Sequence, residues 1–376
     1  MSKFRMINAT GELVAFCVAA QKNGWVALDT EFVRTRTLYA DLGLVQARSG
    51  NDVILVDPLN GVDLQPLWDL LNTDIRTVLH AAGEDLEIFH RYNAVLQDMF
   101  DTQIAYAFVT DGSQIGYAGL VEQMLAVVVD KTQSRTDWLQ RPLSAEQLAY
   151  AAADVEYLAE LYPELQKRVQ DAGMEALVRA ECAEQVAKRA RETNPALAWR
   201  DVGGLSLLDG AGRAVLRELA AWRLRLAREQ NIALPFIARD HVLTDIARSQ
   251  PASRNQLSQI DELHPKSLRL YGDAILACVQ RGLDEPVEQQ PEAIPRYDQD
   301  GAYKRFFKAA KALMKDVAEQ EKIPAPLMGS RKQINEVYVW HHFTAESTKQ
   351  LLPEPDLLCG WRGALLGAKL NTLVAG

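Results

Sequence analysis

The chain has 376 residues, of which 48% are hydrophobic and 24% are charged, and its formal net charge is −9. This composition excludes a disordered or fibrous protein, and the length predicts two or three compact domains. The acidic total does not exclude a nucleic-acid partner, because an enzyme acting on nucleic acid needs positive charge only along its binding groove.

The sequence carries no signal for secretion or membrane insertion. Its N-terminus lacks the apolar core of a signal peptide, and no apolar run approaches the roughly 20 residues that span a bilayer. The cysteines are far apart and form no CxxC pair, which is typical of reduced core thiols: Cys17, Cys182, Cys278 and Cys359. We therefore expect a cytoplasmic protein.

Short β-type runs alternate with helical patterns over the first third of the chain. Three strands are predicted first, at 24–32, 41–49 and 52–58, and the turn SGND joins the last two as a hairpin. A fourth strand is predicted at 75–82. Helical patterns fill the segments between and after these strands, at 62–72, 83–92, 100–109 and 119–129. This layout predicts an α/β domain with a mixed sheet and flanking helices.

From Ser144 onward the sequence is persistently helical, beginning with a capping box formed by Ser144 and Gln147. Two stretches rich in Pro, Gly and acids interrupt this pattern, at 194–210 and 281–301, and are predicted linkers. The helical pieces after each break resemble each other at an offset of about 90 residues, which indicates a duplicated helical domain. Chance similarity between two amphipathic bundles is the alternative.

The segment ALDTEF places two acids at the end of a hydrophobic strand. Residues i and i+2 of a strand point to one side, so Asp29 and Glu31 project together and repel unless a cation lies between them. That cation is either a lysine or arginine side chain or a divalent metal ion. Asp85 lies near the start of the helix that follows the fourth strand, and the alternative to a functional role is an acid that the helix dipole favours there. Asp101 is interpreted as a helix N-cap before Gln103.

A tyrosine and an acid on the long helix complete the set. Tyr150 and Asp154 are four residues apart and therefore share one helix face, and the alanines around them would let the helix approach the sheet closely. The alternative is a half-buried tyrosine near an exposed acid. Together with Asp29, Glu31 and Asp85, these side chains could hold two divalent ions about 4 Å apart, the spacing that clamps both oxygens of a reacting phosphodiester.

In this order the residues resemble the DEDDy branch of the DnaQ-type 3′-to-5′ exonucleases, and the segments DTEFVRTRTLYADLGLVQ and HAAGEDLEIF are similar to the ribonuclease D family. The segment from about 213 to 282 resembles an HRDC domain. The resemblance implies a ribonuclease H-like α/β exonuclease domain followed by two all-α domains, with boundaries at 1–192 (exonuclease), 208–288 (HRDC) and 295–373 (divergent HRDC-like).

The same resemblance assigns roles to the residues. Asp29 and Glu31 match the first exonuclease motif, Asp85 the second, and Tyr150 with Asp154 the third. The four acids would bind two Mg²⁺ or Mn²⁺ ions, Tyr150 would orient the attacking water, and the product would be a 5′ nucleotide.

Two further residues lie beside these motifs. Phe32 directly follows Glu31 and is predicted to stack on the terminal base of the substrate, with core packing as its alternative. His80 is interpreted as a core histidine.

Basic residues indicate where a nucleic acid would bind. Lysines at helical spacing form one predicted positive stripe, which comprises Lys304, Lys308, Lys311 and Lys315. Arginines between 213 and 228 are spread around their helix, and some are expected to pair with Glu218 or Glu229. A third basic run lies at 188–191. Solvated faces are the alternative to binding for all of these charges.

The resemblance implies a monomeric exoribonuclease that trims precursor transfer RNA and other structured RNAs with a single-stranded 3′ end. Two alternatives stay open, a DNA 3′-to-5′ exonuclease and a non-catalytic nucleic-acid adaptor. The duplicated helical tail and the lack of a polymerase region favour RNA. Acids at all four metal positions argue against an adaptor, which has no reason to keep like charges together.

Overall fold

The computed structural model describes residues 4–375. Its strands form one mixed sheet in the order β1-β4-β3-β2-β5-β6. The pairs β2–β3 and β3–β4 are antiparallel, whereas β1–β4, β2–β5 and β5–β6 are parallel. The strands are β1 Arg5–Ile7, β2 Trp25–Val33, β3 Asp41–Ser49, β4 Asp52–Val56, β5 Arg76–Leu79 and β6 Asp98–Asp101.

The predicted strands and hairpin are confirmed as β2, β3, β4 and β5, although β5 is shorter than expected. Ser49 pairs with Asp52 across the β3–β4 turn. Gly50 in this turn has a φ of +56°, a conformation that glycine adopts at little cost because it has no Cβ. The Val, Leu and Ile side chains of these strands supply much of the buried core.

Helices flank the sheet, and the longest of them is α6. Its predicted capping box is confirmed, because the Ser144 hydroxyl accepts from the Gln147 backbone N at 3.1 Å and the Gln147 side chain accepts from the Ser144 N at 2.9 Å. The helices of this part are α1 Thr10–Asn23, α2 Gln65–Leu71, α3 Gly83–Arg91, α4 Thr102–Phe108, α5 Tyr117–Leu125, α6 Ala145–Asp171 and α7 Glu175–Arg189.

Sequence analysis missed β1, α1 and β6. The two strands have three and four residues, too few for an alternating pattern to be recognised. Helix α1 buries Leu13 and Phe16 but exposes Val14 and Val18, so its apolar residues mark no single face. The helix predicted at 119–129 ends at Leu125, because the next residue adopts a left-handed backbone conformation.

The chain divides into two compact units. Unit 1 comprises Met1–Arg34, Ala40–Arg191 and Met314–Ser330, and it contains the sheet. Unit 2 comprises Thr35–Tyr39, Glu192–Leu313 and Arg331–Gly376. The predicted domain boundaries near 192, 208, 288 and 295 stay predictions.

From Ala145 to residue 375 the described elements are all helical, as predicted. Two helices of 21 residues, α8 and α13, are each followed by a four-residue helix, a longer helix, a second four-residue helix and a final long helix. This repeated order supports the predicted duplication. The helices are α8 Gly210–Gln230, α9 Leu234–Ile237, α10 Asp240–Ser249, α11 Arg254–Leu257, α12 Pro265–Leu283, α13 Gly301–Glu321, α14 Ala325–Met328, α15 Arg331–His342, α16 Glu346–Lys349 and α17 Gly360–Ala375.

Two further features of the structure concern the cysteines and the apolar character of the helices. Cys17, Cys182, Cys278 and Cys359 form no disulfide bond with one another, and all but Cys359 are buried. Within the part of the chain that the structure describes, no helix combines the length and the apolar character needed to cross a membrane.

Candidate active site

Asp29 and Glu31 lie on β2 beyond the point where its parallel neighbour β5 stops. On the other side β3 continues the ladder, and Gln46 of that strand pairs directly with Asp29. Both acids are half-buried. The ladder shifts register between Glu31 and Phe32, so the strand bends just after the two acids.

The other two acids are carried by helices. Because α3 starts shortly after β5 ends, Asp85 lies in the first turn of this helix and is buried. Helix α6 packs against β2, β3 and β4 and carries Asp154, also buried, one turn after Tyr150. Ala151 and Ala152 between them are fully buried, which lets this helix lie close to the sheet.

Three of the acids converge. One carboxylate oxygen from each of Asp29, Glu31 and Asp154 lies within 4.8 Å of the other two. Asp85 is not one of these three, but its Oδ1 accepts a hydrogen bond of 2.5 Å from Oγ1 of Thr30, the residue between Asp29 and Glu31. Within residues 4–375 no lysine, arginine or histidine forms an ion pair with any of the four acids.

Burial raises the pKa of all four acids, and repulsion between the acids raises it further for Asp29 and Glu31. The pKa of Glu31 rises to about 10, first through burial and then through the charges of Asp29 and Asp154. Burial raises the pKa of Asp154 to about 7 and that of Asp85 to about 6. Burial, followed by the charges of Asp85 and Asp154, also holds the pKa of Asp29 well above its usual range. At neutral pH the cluster therefore favours the uptake of protons or cations.

Neutral donors interact with Asp29 and Asp154. Nε2 of Gln46 donates to Oδ2 of Asp29 over 3.0 Å, and the Tyr150 hydroxyl favours the charged form of Asp154. The Tyr117 hydroxyl donates to the backbone carbonyl of Asp154. Oδ1 of Asp154 is buried and has no hydrogen-bond partner among the described residues. An all-oxygen set with one orphaned buried oxygen fits a hard divalent cation.

Sequence analysis missed Thr30, Gln46 and Tyr117. A signal existed for two of them, since Thr30 lies inside the DTE motif and Gln46 is the one amide in the strand DLGLVQARS. No sequence pattern pointed to Tyr117, because its bond to Asp154 depends on how α5 packs against α6.

Three other residues named from the sequence lie outside the acid cluster. Phe32 is half-buried at the register shift of β2. His80, interpreted from the sequence as a core histidine, is half-buried: its ring packs edge-on against Tyr117 with centroids 5.4 Å apart, and burial lowers its pKa. Asp101 is confirmed as the N-cap of α4, where it accepts a hydrogen bond of 2.8 Å from the backbone N of Gln103.

The four predicted lysines are all exposed along α13: Lys304, Lys308, Lys311 and Lys315. Lys315 lies 3.7 Å from Glu319. Among the residues that the structure describes, the other three have no ion pair.

The arginines of α8 are largely paired, but the expected partners Glu218 and Glu229 are not the ones used. Glu218 is bound instead by Arg281, at 2.8 Å. In the third basic run, Arg189 pairs with Glu87. The pairs of α8 are Arg217 with Glu285, Arg223 with Asp240, and Arg228 with Glu192.

Family profiles match three segments of the chain. A profile for 3′-5′ exonucleases matches residues 4–170, and a profile for HRDC domains matches residues 212–279. A profile for the C-terminal HRDC domain of ribonuclease D matches residues 301–370.

The chain is also similar to known proteins over its whole length. It is 39% identical to ribonuclease D of Cronobacter turicensis over 98% of this chain and 99% of that protein, and 38% identical to ribonuclease D of Escherichia coli over 99% and 98%. The crystal structure of E. coli RNase D, called an exoribonuclease involved in structured RNA processing, gives a TM-score of 0.91 at 38% identity and covers 99% of both chains.

A more distant structure shares the fold alone. The catalytic core of RRP6 from Trypanosoma brucei gives a TM-score of 0.56 at 22% identity, over 75% of this chain and 80% of that one.

Proposed function

The chain belongs to the ribonuclease D family of 3′-5′ exonucleases, and from that membership we propose that it removes nucleotides one at a time from the 3′ end of RNA. The products are 5′ nucleotides. The relative from E. coli processes structured RNA, and we assign this chain the same class of substrate, with precursor transfer RNA among its members.

The approach of three acidic oxygens to within 4.8 Å of one another carries this proposal. Like charges this close, without a lysine or arginine partner, raise the free energy of the fold unless a cation joins them. Asp29, Glu31, Asp85 and Asp154 would together hold two divalent ions, Mg²⁺ or Mn²⁺. Such ions, when bound, activate a water and stabilise the departing 3′ oxygen of a phosphodiester.

The residues around the acids have separate tasks in this proposal. Burial raises the pKa of Tyr150, so its hydroxyl keeps its proton at neutral pH. Tyr150 therefore serves as a hydrogen-bond donor that orients the attacking water, and it does not serve as the base. Phe32, half-buried one position after Glu31, would stack on the terminal base of the substrate.

The helical part would supply RNA binding. The exposed lysines of α13 suit the phosphate backbone of a single strand, and the acidic net charge predicts binding that weakens steeply with salt. Boundaries at 1–192, 208–288 and 295–373 enclose the three matched segments. Action as a monomer in the cytoplasm completes the proposal.

The test is digestion of an RNA that has a duplex body and a single-stranded 3′ overhang, resolved nucleotide by nucleotide. With Mg²⁺ or Mn²⁺ the overhang should shorten from its 3′ end, release 5′ nucleotides and stop before the duplex. Chelation with EDTA should abolish the reaction. Equal or faster digestion of the matching DNA would overturn the choice of RNA, and binding without digestion would support the adaptor alternative.

A further inference from the structure

Gln46 is a buried polar side chain in the middle of a hydrophobic strand. Its exposed fraction is 0%, and its neighbours Val45 and Ala47 are equally buried. The antiparallel register of β2 and β3 places Gln46 directly opposite Asp29, so the two side chains lie on the same face of the sheet.

One end of the Gln46 carboxamide is bonded and the other is not. Nε2 donates to Oδ2 of Asp29 over 3.0 Å, whereas Oε1 is buried and has no hydrogen-bond partner among the described residues. The orientation follows from the chemistry, because the reverse one would bring the amide oxygen against the carboxylate of Asp29, acceptor to acceptor. A buried oxygen without a donor costs free energy that an aliphatic residue in this strand would not.

The Gln46 amide is neutral, whereas the usual structural partner of a buried acid is a cationic side chain. An arginine at this position would neutralise Asp29 and compete with any cation for its oxygens. A neutral amide fixes the direction of the carboxylate and leaves its charge in place. Hydrogen bonds of this kind to metal-ligating groups commonly contribute about 10-fold to 100-fold in metal affinity.

We propose that Gln46 is a positioning residue of the acid site, whose amide holds Asp29 in the orientation in which that carboxylate shares a divalent cation with Glu31 and Asp154. This inference rests on the proposed function, because it takes the acid cluster to be a cation site.

The experiment measures Mn²⁺ binding to the purified full chain by isothermal titration calorimetry, together with the melting temperature of the same protein in EDTA. In Gln46→Leu the dissociation constant for Mn²⁺ should rise about 10-fold or more. The melting temperature in EDTA should change little, since the substitution removes the hydrogen bond to Asp29 and the orphaned oxygen together. Gln46→Asn keeps an amide one methylene shorter and should give an intermediate affinity.

Gln147 offers a matched control, because it is also a buried glutamine but bonds to Ser144, to Thr136 and to the backbone carbonyl of Asp137, and to none of the four acids of the site. Gln147→Leu should lower the melting temperature and leave the affinity for Mn²⁺ unchanged. A merely structural Gln46 would behave like this control.

The inference is overturned if Gln46→Leu binds Mn²⁺ within twofold of the wild type, or if Gln147→Leu weakens binding equally. In both cases the wild type still binds Mn²⁺, so the proposed function survives. A wild-type chain that binds no Mn²⁺ overturns the proposed function and this inference with it.

Discussion

Asp57 and Asp154 are both buried acids of unit 1, but their partners differ in kind. Asp57 is 2% exposed, and Arg141 binds both of its oxygens, Oδ2 through Nε at 2.6 Å and Oδ1 through Nη2 at 2.7 Å. Asp154 is 6% exposed and has no cationic partner within the described residues, and its Oδ1 has no donor. The partner of a buried acid, more than its burial, therefore separates a structural acid from a candidate functional one.

The two sites differ in whether a cationic side chain satisfies the buried carboxylate. The Arg141 guanidinium also donates to the backbone carbonyls of Gly43 and Trp138, so its donors and the carboxylate of Asp57 satisfy one another. Breaking such a pair leaves a buried charge alone, which is costly. The acids of the cluster have neutral donors but no cationic partner, so the metal-free protein gives up stability in return for a capacity to bind a cation.

The comparison is tested most strongly by Asp154→Asn, which keeps the shape of the side chain and removes its charge. We expect a loss of at least about 10³-fold in RNA trimming, or about 4 kcal/mol of transition-state stabilisation. The measurement is single-turnover digestion of the overhang RNA at saturating Mg²⁺. Trimming at the wild-type rate would remove Asp154 from the site.

At the structural acid, Arg141→Met should have the opposite profile. It leaves Asp57 buried without a cation, so we expect the free energy of unfolding, measured by urea titration, to fall by about 3 kcal/mol. Trimming per folded molecule should stay close to that of the wild type. The double variant with Asp57→Asn should recover part of the stability, and a loss of trimming without a loss of stability would contradict the structural assignment.

Local spacing is the reason that the acids themselves could be predicted from the sequence. The i, i+2 rule for strands and the i, i+4 rule for helices place Asp29 beside Glu31 and Tyr150 near Asp154 without knowledge of the fold. The mixed sheet, the hairpin and the change to helices after Ser144 follow from periodicity in the same way.

Their partners could not be predicted, because they depend on long-range register and packing. Gln46 meets Asp29 only through the pairing of β2 with β3, and Tyr117 reaches Asp154 only through the packing of α5 on α6. The partners predicted for the arginines of α8 were wrong for a related reason, since all three acids that pair with these arginines lie outside this helix.

The pH dependence of stability should also distinguish Asp154 from a structural acid such as Asp57, with a smaller effect than the two substitutions above. The pKa of Asp154 is raised to about 7 in the fold, so the native state binds more protons than the unfolded chain between roughly pH 4 and pH 7. Stability of the metal-free protein should therefore fall as the pH rises through this range. Asp154→Asn removes that loss and should be more stable than the wild type at pH 8. Between pH 5 and pH 8, the free energy of unfolding of the variant should gain about 1–2 kcal/mol on that of the wild type.

Melting curves in EDTA at pH 5 and pH 8 measure this effect. Added Mg²⁺ should reverse the order at pH 8, because it stabilises the wild type by binding to the native state and the variant much less. An Asp154→Asn variant that is less stable than the wild type in EDTA at pH 8 would mean that Asp154 contributes to the fold as Asp57 does.

The smallest expected effect concerns the exposed lysines of α13. As with the buried acids, a charge without a partner of opposite sign is a candidate for binding, here of a phosphate. Lys304, Lys308 and Lys311 have no ion pair among the described residues, whereas Lys315 lies near Glu319. If the three unpaired lysines contact phosphates of a single strand, each alanine substitution should reduce the slope of log affinity against log salt by about 0.7. The measurement is fluorescence anisotropy with a labelled single-stranded RNA in EDTA, over a range of KCl concentrations.

Two controls make this slope interpretable. Lys22 is an exposed lysine in the last turn of α1, away from the stripe in sequence, and Lys22→Ala should leave the slope unchanged. Lys315→Ala should change it less than the others, because Glu319 already offsets part of the charge of Lys315, although an exposed pair of this kind offsets only a little. Equal slopes for the wild type and the triple alanine variant would show that the lysines of α13 form a solvated face, and RNA binding would then have to be assigned to another surface.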